Sequence, residues 1–289
     1  MIIAKEISEV QGFLGANRSK TKGFVPTMGF LHKGHLSLVK KSKSENELTL
    51  ASIFVNPTQF NQASDLDSYP RDEKRDLELL EAAGVDLFFF PTADIIYPKG
   101  FNTKVEVLGV TEELEGATRP GHFAGVALVV AKLFNICQPT NAYFGNKDYQ
   151  QVAVIKQLTK DLNFPIQIHA CPTFRSESGL ALSSRNARLS SQQLDEAPLL
   201  YEALRWGRDE IKSGILDLKK VKAQMEAIIL KSKFANIEYI AFSDATTLVP
   251  LNVATQGQEL LISLAVYFGD APLKEISSVR LIDNILVTA

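Results

Sequence analysis

Two histidines three residues apart, His32 and His35, stand in the run Pro26-Thr27-Met28-Gly29-Phe30-Leu31-His32-Lys33-Gly34-His35. That spacing puts both rings on one face once a helix has begun. An imidazole N–H can donate to a phosphate oxygen and hold the charge that develops on departing pyrophosphate. The apolar Gly23-Phe24-Val25 precedes the run and Leu36-Ser37-Leu38-Val39 follows it, so the run belongs in the turn from a strand into a helix. Free backbone N–H groups and the helix dipole favour an anion there, and Gly34 lets the backbone come close to a ligand. Zinc ligation and plain capping or surface roles are the alternatives. With four histidines, two cysteines and no Cys-x-x-Cys pair, zinc has few partners.

Three further segments carry groups that suit a nucleotide and a small acid. Gly145-Asn146-Lys147-Asp148-Tyr149-Gln150-Gln151 follows the apolar Ala142-Tyr143-Phe144; Lys147 is a point charge for a phosphate, and Asp148 can cap a helix or accept from ribose. Gly179-Leu180-Ala181-Leu182-Ser183-Ser184-Arg185-Asn186 places two hydroxyls and a guanidinium on one loop, a plausible clamp for triphosphate oxygens. In Phe54-Val55-Asn56-Pro57-Thr58-Gln59-Phe60 the neutral Gln59 can bond a hydroxyl or carboxylate without adding charge. Each has a plainer alternative: a capped helix with a solvated Lys at 145–151, a capped loop at a domain border at 179–186, and a turn after an edge strand at 54–60. Asp76, in the helical pattern after Tyr69-Pro70-Arg71, could approach a magnesium ion, although a helix Asp is usually just solvated.

The elements that would position these groups alternate along the chain. Phe24–Pro26, Leu48–Val55, Leu87–Phe90, Ala142–Phe144 and Ile166–Ala170 are short, nearly continuous apolar runs, as expected of strands covered on both faces. Helical patterns at His35–Lys43, Asp72–Ala83, His122–Ile136 and Asp148–Leu162 lie between them. This predicts an α/β fold with a Rossmann-like parallel sheet and ligands at the carboxyl ends of its strands. Beyond Ser190, helical patterns at Ser191–Ser213 and Leu218–Lys231 precede strand-like runs at Ile237–Phe242, Glu259–Tyr267 and Val279–Val287. A smaller α+β C-terminal domain is expected, with Pro198 opening the main part of its first helix. The boundary is placed at 178/179, giving domains 1–178 and 179–289.

The formal charge of −2 and the 45% apolar composition describe an ordinary globular protein, with no electrostatic case for nucleic acid or an anionic membrane. No apolar stretch is long enough to span a bilayer, and the N-terminus meets charge before a signal-peptide core forms. Cys137 and Cys171 suggest neither a disulfide framework nor a metal site, so a cytoplasmic location is expected.

The His-x-Gly-His run resembles the signature of the nucleotidylyl transferase superfamily, and 179–186 resembles that superfamily's Lys-Met-Ser-Lys-Ser-type loop. Pro26–His35, Phe54–Phe60, Tyr69-Pro70-Arg71, Leu114-Glu115-Gly116, Arg119–Gly125, Phe144–Gln151 and Gly179–Asn186 together, in this order, resemble the pantothenate synthetase (pantoate–β-alanine ligase) family. The C-terminal part matches by size, position and the ending Arg280-Leu281-Ile282-Asp283-Asn284. The resemblance implies that ATP and pantoate form an enzyme-bound pantoyl adenylate, which β-alanine then converts to pantothenate and AMP. It implies an ATP site of Met28, Gly29, Phe30, Leu31, His32, Lys33, Gly34, His35, Gly145, Asn146, Lys147, Asp148, Phe174, Leu182, Ser183, Ser184 and Arg185. Within it His35 is the proton donor, with His32, Lys147 and Arg185 also catalytic; Gln59 and Gln151 take pantoate, and Asp76 meets Mg2+. It further implies a homodimer and a C-terminal domain that closes over the active site.

Departures accompany the match. Asn146 stands for the family's usual Glu, Ser176 and Ser178 for acidic residues, and Arg75 for an acid beside Asp76. Each makes the local field less negative, which touches metal placement and nucleotide affinity more than reaction type. Another nucleotidylyl transferase acting on a phosphate ester, and a nucleotide sensor without catalysis, are the competing readings.

Overall fold

Short apolar segments separated by amphipathic helices pair side by side into one parallel sheet. The computed structural model describes residues 1–61, 66–269 and 278–289. Its strands are β1 (Ile2–Ala4), β2 (Lys22–Thr27), β3 (Leu48–Ile53), β4 (Leu87–Phe89), β5 (Asn141–Gly145), β6 (Gln167–Cys171), β7 (Ala235–Asp244), β8 (Glu259–Phe268) and β9 (Val279–Thr288). Its helices are α1 (Ile7–Ala16), α2 (Lys33–Glu45), α3 (Glu73–Ala82), α4 (Ala93–Ile96), α5 (Glu115–Thr118), α6 (His122–Cys137), α7 (Tyr149–Asp161), α8 (Ser191–Glu196), α9 (Leu199–Lys212) and α10 (Leu218–Ile229).

Two compact units result. The first comprises Met1–Thr111, Arg119–Asn146 and Gln151–Pro172; the second comprises Glu112–Thr118, Lys147–Gln150 and Thr173–Ala289. The chain is therefore not divided by one cut, and position 178/179 falls inside the second unit.

In the first unit β1 to β6 are ordered β1-β4-β3-β2-β5-β6 and every pairing is parallel. Strand order reverses between β2 and β5, the place where open α/β sheets bind ligands beyond their carboxyl ends. Alternation along the strands explains why they read as continuous apolar runs. Phe24, Leu50, Leu87, Phe89, Ala142 and Phe144 join the core under α1, α6 and α7. Val25, Ala51, Ile53, Phe88 and Tyr143 join the core on the other face, with Leu38, Val39 and Leu80 from α2 and α3. Successive residues point to opposite faces, so both must be apolar.

The second unit packs α9 and α10 against the antiparallel sheet β7-β8-β9. Pro198 is the N-cap of α9, and the single helical pattern expected over Ser191–Ser213 is two helices because proline cannot supply an interior N–H. The segments β1 and α1 are additions to the expected elements. A three-residue edge strand and a helix carrying Gly12 and Gly15 give little periodic signal.

Candidate active site

The turn after β2 is held in a conformation that the chain would not choose unaided. Gly29 has φ 85° and Phe30 has φ 50°, the left-handed region that costs a residue with a Cβ roughly 1 kcal/mol or more. Asp76, from α3, holds it there: its two carboxylate oxygens accept the N–H groups of Phe30 and Leu31, each at 2.7 Å. A Cβ at position 29 would stand 3.0 Å from Asp76 Oδ2 and from Ile53, so glycine also makes room for the brace. Asp76 is only 2% exposed; burial pushes its carboxyl above the ordinary range, opposed by the two N–H groups. The Arg75 guanidinium lies over the Phe30 ring, 5.5 Å from its centroid.

His32 and His35 then form an unusual capping box at the start of α2. The Gly34 N–H donates to His32 Nδ1 at 3.1 Å, and the His32 N–H donates to His35 Nδ1 at 3.3 Å. The rings stack with centroids 4.0 Å apart. An Nδ1 that accepts a backbone N–H cannot carry a proton, so each neutral imidazole bears its proton on Nε2. Capping and phosphate recognition, alternatives in the sequence, are compatible: one nitrogen caps and the other is a donor. Lys33 and Gly34 open the helix, while Leu31 is buried in the core and contributes through its backbone.

Gln59 sits in a 3₁₀ turn, Pro57–Gln59, capped by the Asn56 side chain. Asn56 Nδ2 also donates to Gln59 Oε1 at 3.2 Å and to the Gly125 carbonyl at 3.1 Å. Gln59 Nε2 donates to Met28 Sδ at 2.7 Å, which joins this turn to the one after β2. Gly125 makes the approach possible: a Cβ there would lie 2.4 Å from the Thr58 carbonyl oxygen. His122 Nδ1 donates to the Gln59 carbonyl at 2.8 Å, so its Nε2 accepts from Arg119 at 3.3 Å. Asn56, Arg119 and His122 belong to the sequence motifs but carry no role there; their task here is to hold Gln59. Gln151 is half-buried on α7, and its neighbour Gln150 turns to Glu113 and Glu115 in the second unit.

Gly145 ends β5, and Asn146, Lys147 and Asp148 form a 3₁₀ turn leading into α7. Lys147 Nζ lies 3.7 Å from Asp148 Oδ1, and the Lys147 carbonyl accepts from Asn284 Nδ2 at 2.8 Å. Ser183 caps the 3₁₀ turn Ser184–Arg188 by accepting the Arg185 N–H at 3.2 Å, and Ser184 is buried. Lys147, Ser183 and Asn186 line one small void with Leu180, Ala181 and Asp283. Phe174 is exposed, and its carbonyl accepts the Leu182 N–H. Ser176 and Ser178 bond each other at 2.8 Å, and Ser176 Oγ accepts the Leu180 N–H at 3.1 Å, so both hydroxyls are engaged within the loop.

The first unit thus gathers Met28–His35, Gln59 and Asp76, and the second gathers Lys147 with Ser183–Arg185. Among the described residues no three His, Cys, Asp or Glu side chains are placed to hold a metal ion, and no helix is long and apolar enough to cross a membrane.

Neutral donors at a helix start in one unit, and cations with hydroxyls in the other, are each groups that suit a polyphosphate, and comparison with known proteins gives the family. The sequence model of the family described as Pantoate-beta-alanine ligase matches residues 2–286. The chain is 48% identical over 289 residues to a pantothenate synthetase of Caldicellulosiruptor saccharolyticus, covering 99% of each. It is 50% identical over 265 residues to that of Herpetosiphon aurantiacus, covering 92% of this chain and 93% of the other. A pantothenate synthetase structure from Thermus thermophilus matches with TM-score 0.90 at 42% identity over 100% of both chains. A pantoate-beta-alanine ligase from Francisella tularensis, complexed with beta-gamma ATP and beta-alanine, matches with TM-score 0.80 at 40% identity, covering 99% of this chain and 97% of that one. With full-length matches in both sequence and structure, this chain belongs to the pantoate–β-alanine ligase family, the pantothenate synthetases.

Proposed function

We infer that this chain condenses pantoate with β-alanine at the expense of ATP, through an enzyme-bound pantoyl adenylate. The pantoate carboxylate attacks the α-phosphorus and pyrophosphate leaves; the β-alanine amine then attacks the acyl carbon and AMP leaves. Adenylation is what makes the second step feasible, because a bare carboxylate does not react with an amine at neutral pH. Family membership supports the overall reaction. The observation that carries the residue assignment is the pair of imidazoles whose protons sit on Nε2 at the start of α2.

In this reading Met28–His35 bind ATP, and His32 and His35 stabilise the departing pyrophosphate as neutral donors. Lys147, Ser183, Ser184 and Arg185 contact the triphosphate; Gly145–Asp148, Phe174 and Leu182 contact the nucleotide; Gln59 and Gln151 hold pantoate. Positioning and fixed charge lower the barrier without a protein nucleophile. Magnesium would accompany ATP on its phosphate oxygens, as this ion commonly does. Asp76, with both oxygens on backbone N–H groups, suits the role of a brace better than that of a metal ligand. A homodimer and a cytoplasmic location complete the proposal, the latter fitting two buried free thiols.

The test is isotope exchange between pyrophosphate and ATP. It should require pantoate but not β-alanine; no exchange with folded protein would refute the adenylate. His35→Ala should remain folded and lose about a hundredfold in exchange rate, the scale for one positioned donor. Wild-type exchange in that variant would remove His35 from the mechanism.

A further inference from the structure

The ending Arg280-Leu281-Ile282-Asp283-Asn284 falls on β9, where side chains alternate between faces. Val279, Leu281 and Val287 join the hydrophobic core of the second unit, and Ile285 packs against it. Asp283 occupies the same face as these residues and is 3% exposed. A carboxylate in an apolar row is expensive to bury unless it is paired and hydrogen-bonded, so its presence needs a reason beyond packing.

Its contacts give one. Arg175 donates to both carboxylate oxygens, Nη1 at 2.5 Å and Nη2 at 2.9 Å. Arg175 also donates to the Gly179 carbonyl at 3.2 Å and to the Asn284 carbonyl at 3.3 Å, and its guanidinium lies 3.8 Å from the Tyr201 ring centroid. Arg175 pairs with Ala181 across a tight hairpin, closed further by Leu182 N–H to the Phe174 carbonyl at 2.9 Å. Ser183, Ser184 and Arg185 follow directly from that hairpin. On the opposite face of β9, Asn284 Nδ2 donates to the Lys147 carbonyl at 2.8 Å. Two consecutive residues therefore fix both cation-bearing segments of the second unit from one strand.

We propose that Asp283 and Asn284 are positioning residues for adenylation, Asp283 setting the Ser183–Arg185 loop through Arg175 and Asn284 setting the backbone of Lys147. The proposal rests on the reading that these segments contact the triphosphate. Two pieces of phosphate-binding backbone far apart in sequence must keep a fixed spacing if their charges are to meet one transition state, and misplacement by about 1 Å can cost on the order of a hundredfold. A rigid strand with a donor on one face and an acceptor on the other supplies that spacing.

Asn284→Ala removes the side-chain donor and no charge. It should stay folded with a modestly lowered urea midpoint and an unchanged KM for pantoate, while kcat for pyrophosphate exchange falls about ten- to a hundredfold. Asn284→Asp, which lacks the donor, should behave likewise. Asp283→Asn should lower kcat as well; if it does not fold, the two Asn284 variants still decide the matter. Wild-type exchange in Asn284→Ala beside an inactive Lys147→Ala would overturn the positioning role alone. Wild-type exchange in Lys147→Ala would overturn the reading of Lys147 and the proposal with it.

Discussion

Asp76 in the first unit and Asp283 in the second are both nearly sealed from water, and each holds a segment of the candidate site. They are answered differently. Asp76 accepts two peptide N–H groups from a left-handed turn, whereas Asp283 meets a full guanidinium charge in a bidentate pair. Peptide dipoles leave Asp76 able to tolerate a neutral replacement that keeps an acceptor. A buried ion pair binds the fate of each partner to the other, because removing one strands a bare charge in the interior. The first device tunes a turn; the second locks a hairpin.

The sharpest way to break this comparison is Arg175→Met. It should destabilise the protein by about 3–5 kcal/mol, the usual result of orphaning a buried partner. Adding Asp283→Asn should return part of the loss, because an amide needs no counter-charge. Urea unfolding measures both, and a loss of under about 1 kcal/mol for Arg175→Met would erase the distinction.

Asp76→Asn should cost less, about 1–3 kcal/mol, since one of two acceptors survives. Its pH dependence sharpens the contrast. Burial raises the Asp76 carboxyl above its ordinary value in the folded protein. Folding therefore penalises its ionised form at neutral pH, and the penalty fades as pH falls through the folded value and is gone below the unfolded one. Wild-type stability relative to Asp76→Asn should rise on acidification across that window; a fall would reverse the assignment.

The smallest effect concerns the thiols. Cys137 and Cys171 are both buried in the first unit, and burial pushes both thiols up, away from the reactive thiolate. Native protein should resist a disulfide reagent for hours. Labelling should quicken more in Asp76→Asn than in an Arg175→Met variant whose damage stays in the second unit; equal rates would mean that the units open together.

The fold was legible where apolar runs were long or regular. β2 to β9 and the longer helices follow their patterns, and the chain order of motifs pointed to the family. β1 and α1 left too little periodicity to be read, and the split of 191–213 was foreshadowed only by Pro198. At the candidate site, residue types pointed to candidate donors but not to the groups that hold them. Nothing in the helical pattern of Asp76 distinguishes a solvated carboxylate from one that reaches back 45 residues to the Leu31 N–H. Asp283 did leave a signal, an acid in an apolar alternation, but its partner lies 108 positions away and only the fold brings it near.

The stacked imidazoles of the first unit also bear on proton traffic in the second half of the proposed reaction. With Nδ1 accepting a backbone N–H and the proton on Nε2, either ring would take a further proton only by giving up its capping bond. In the proposed reaction, moving the ammonium proton of β-alanine to His32 or His35 would therefore cost the cap at the start of α2.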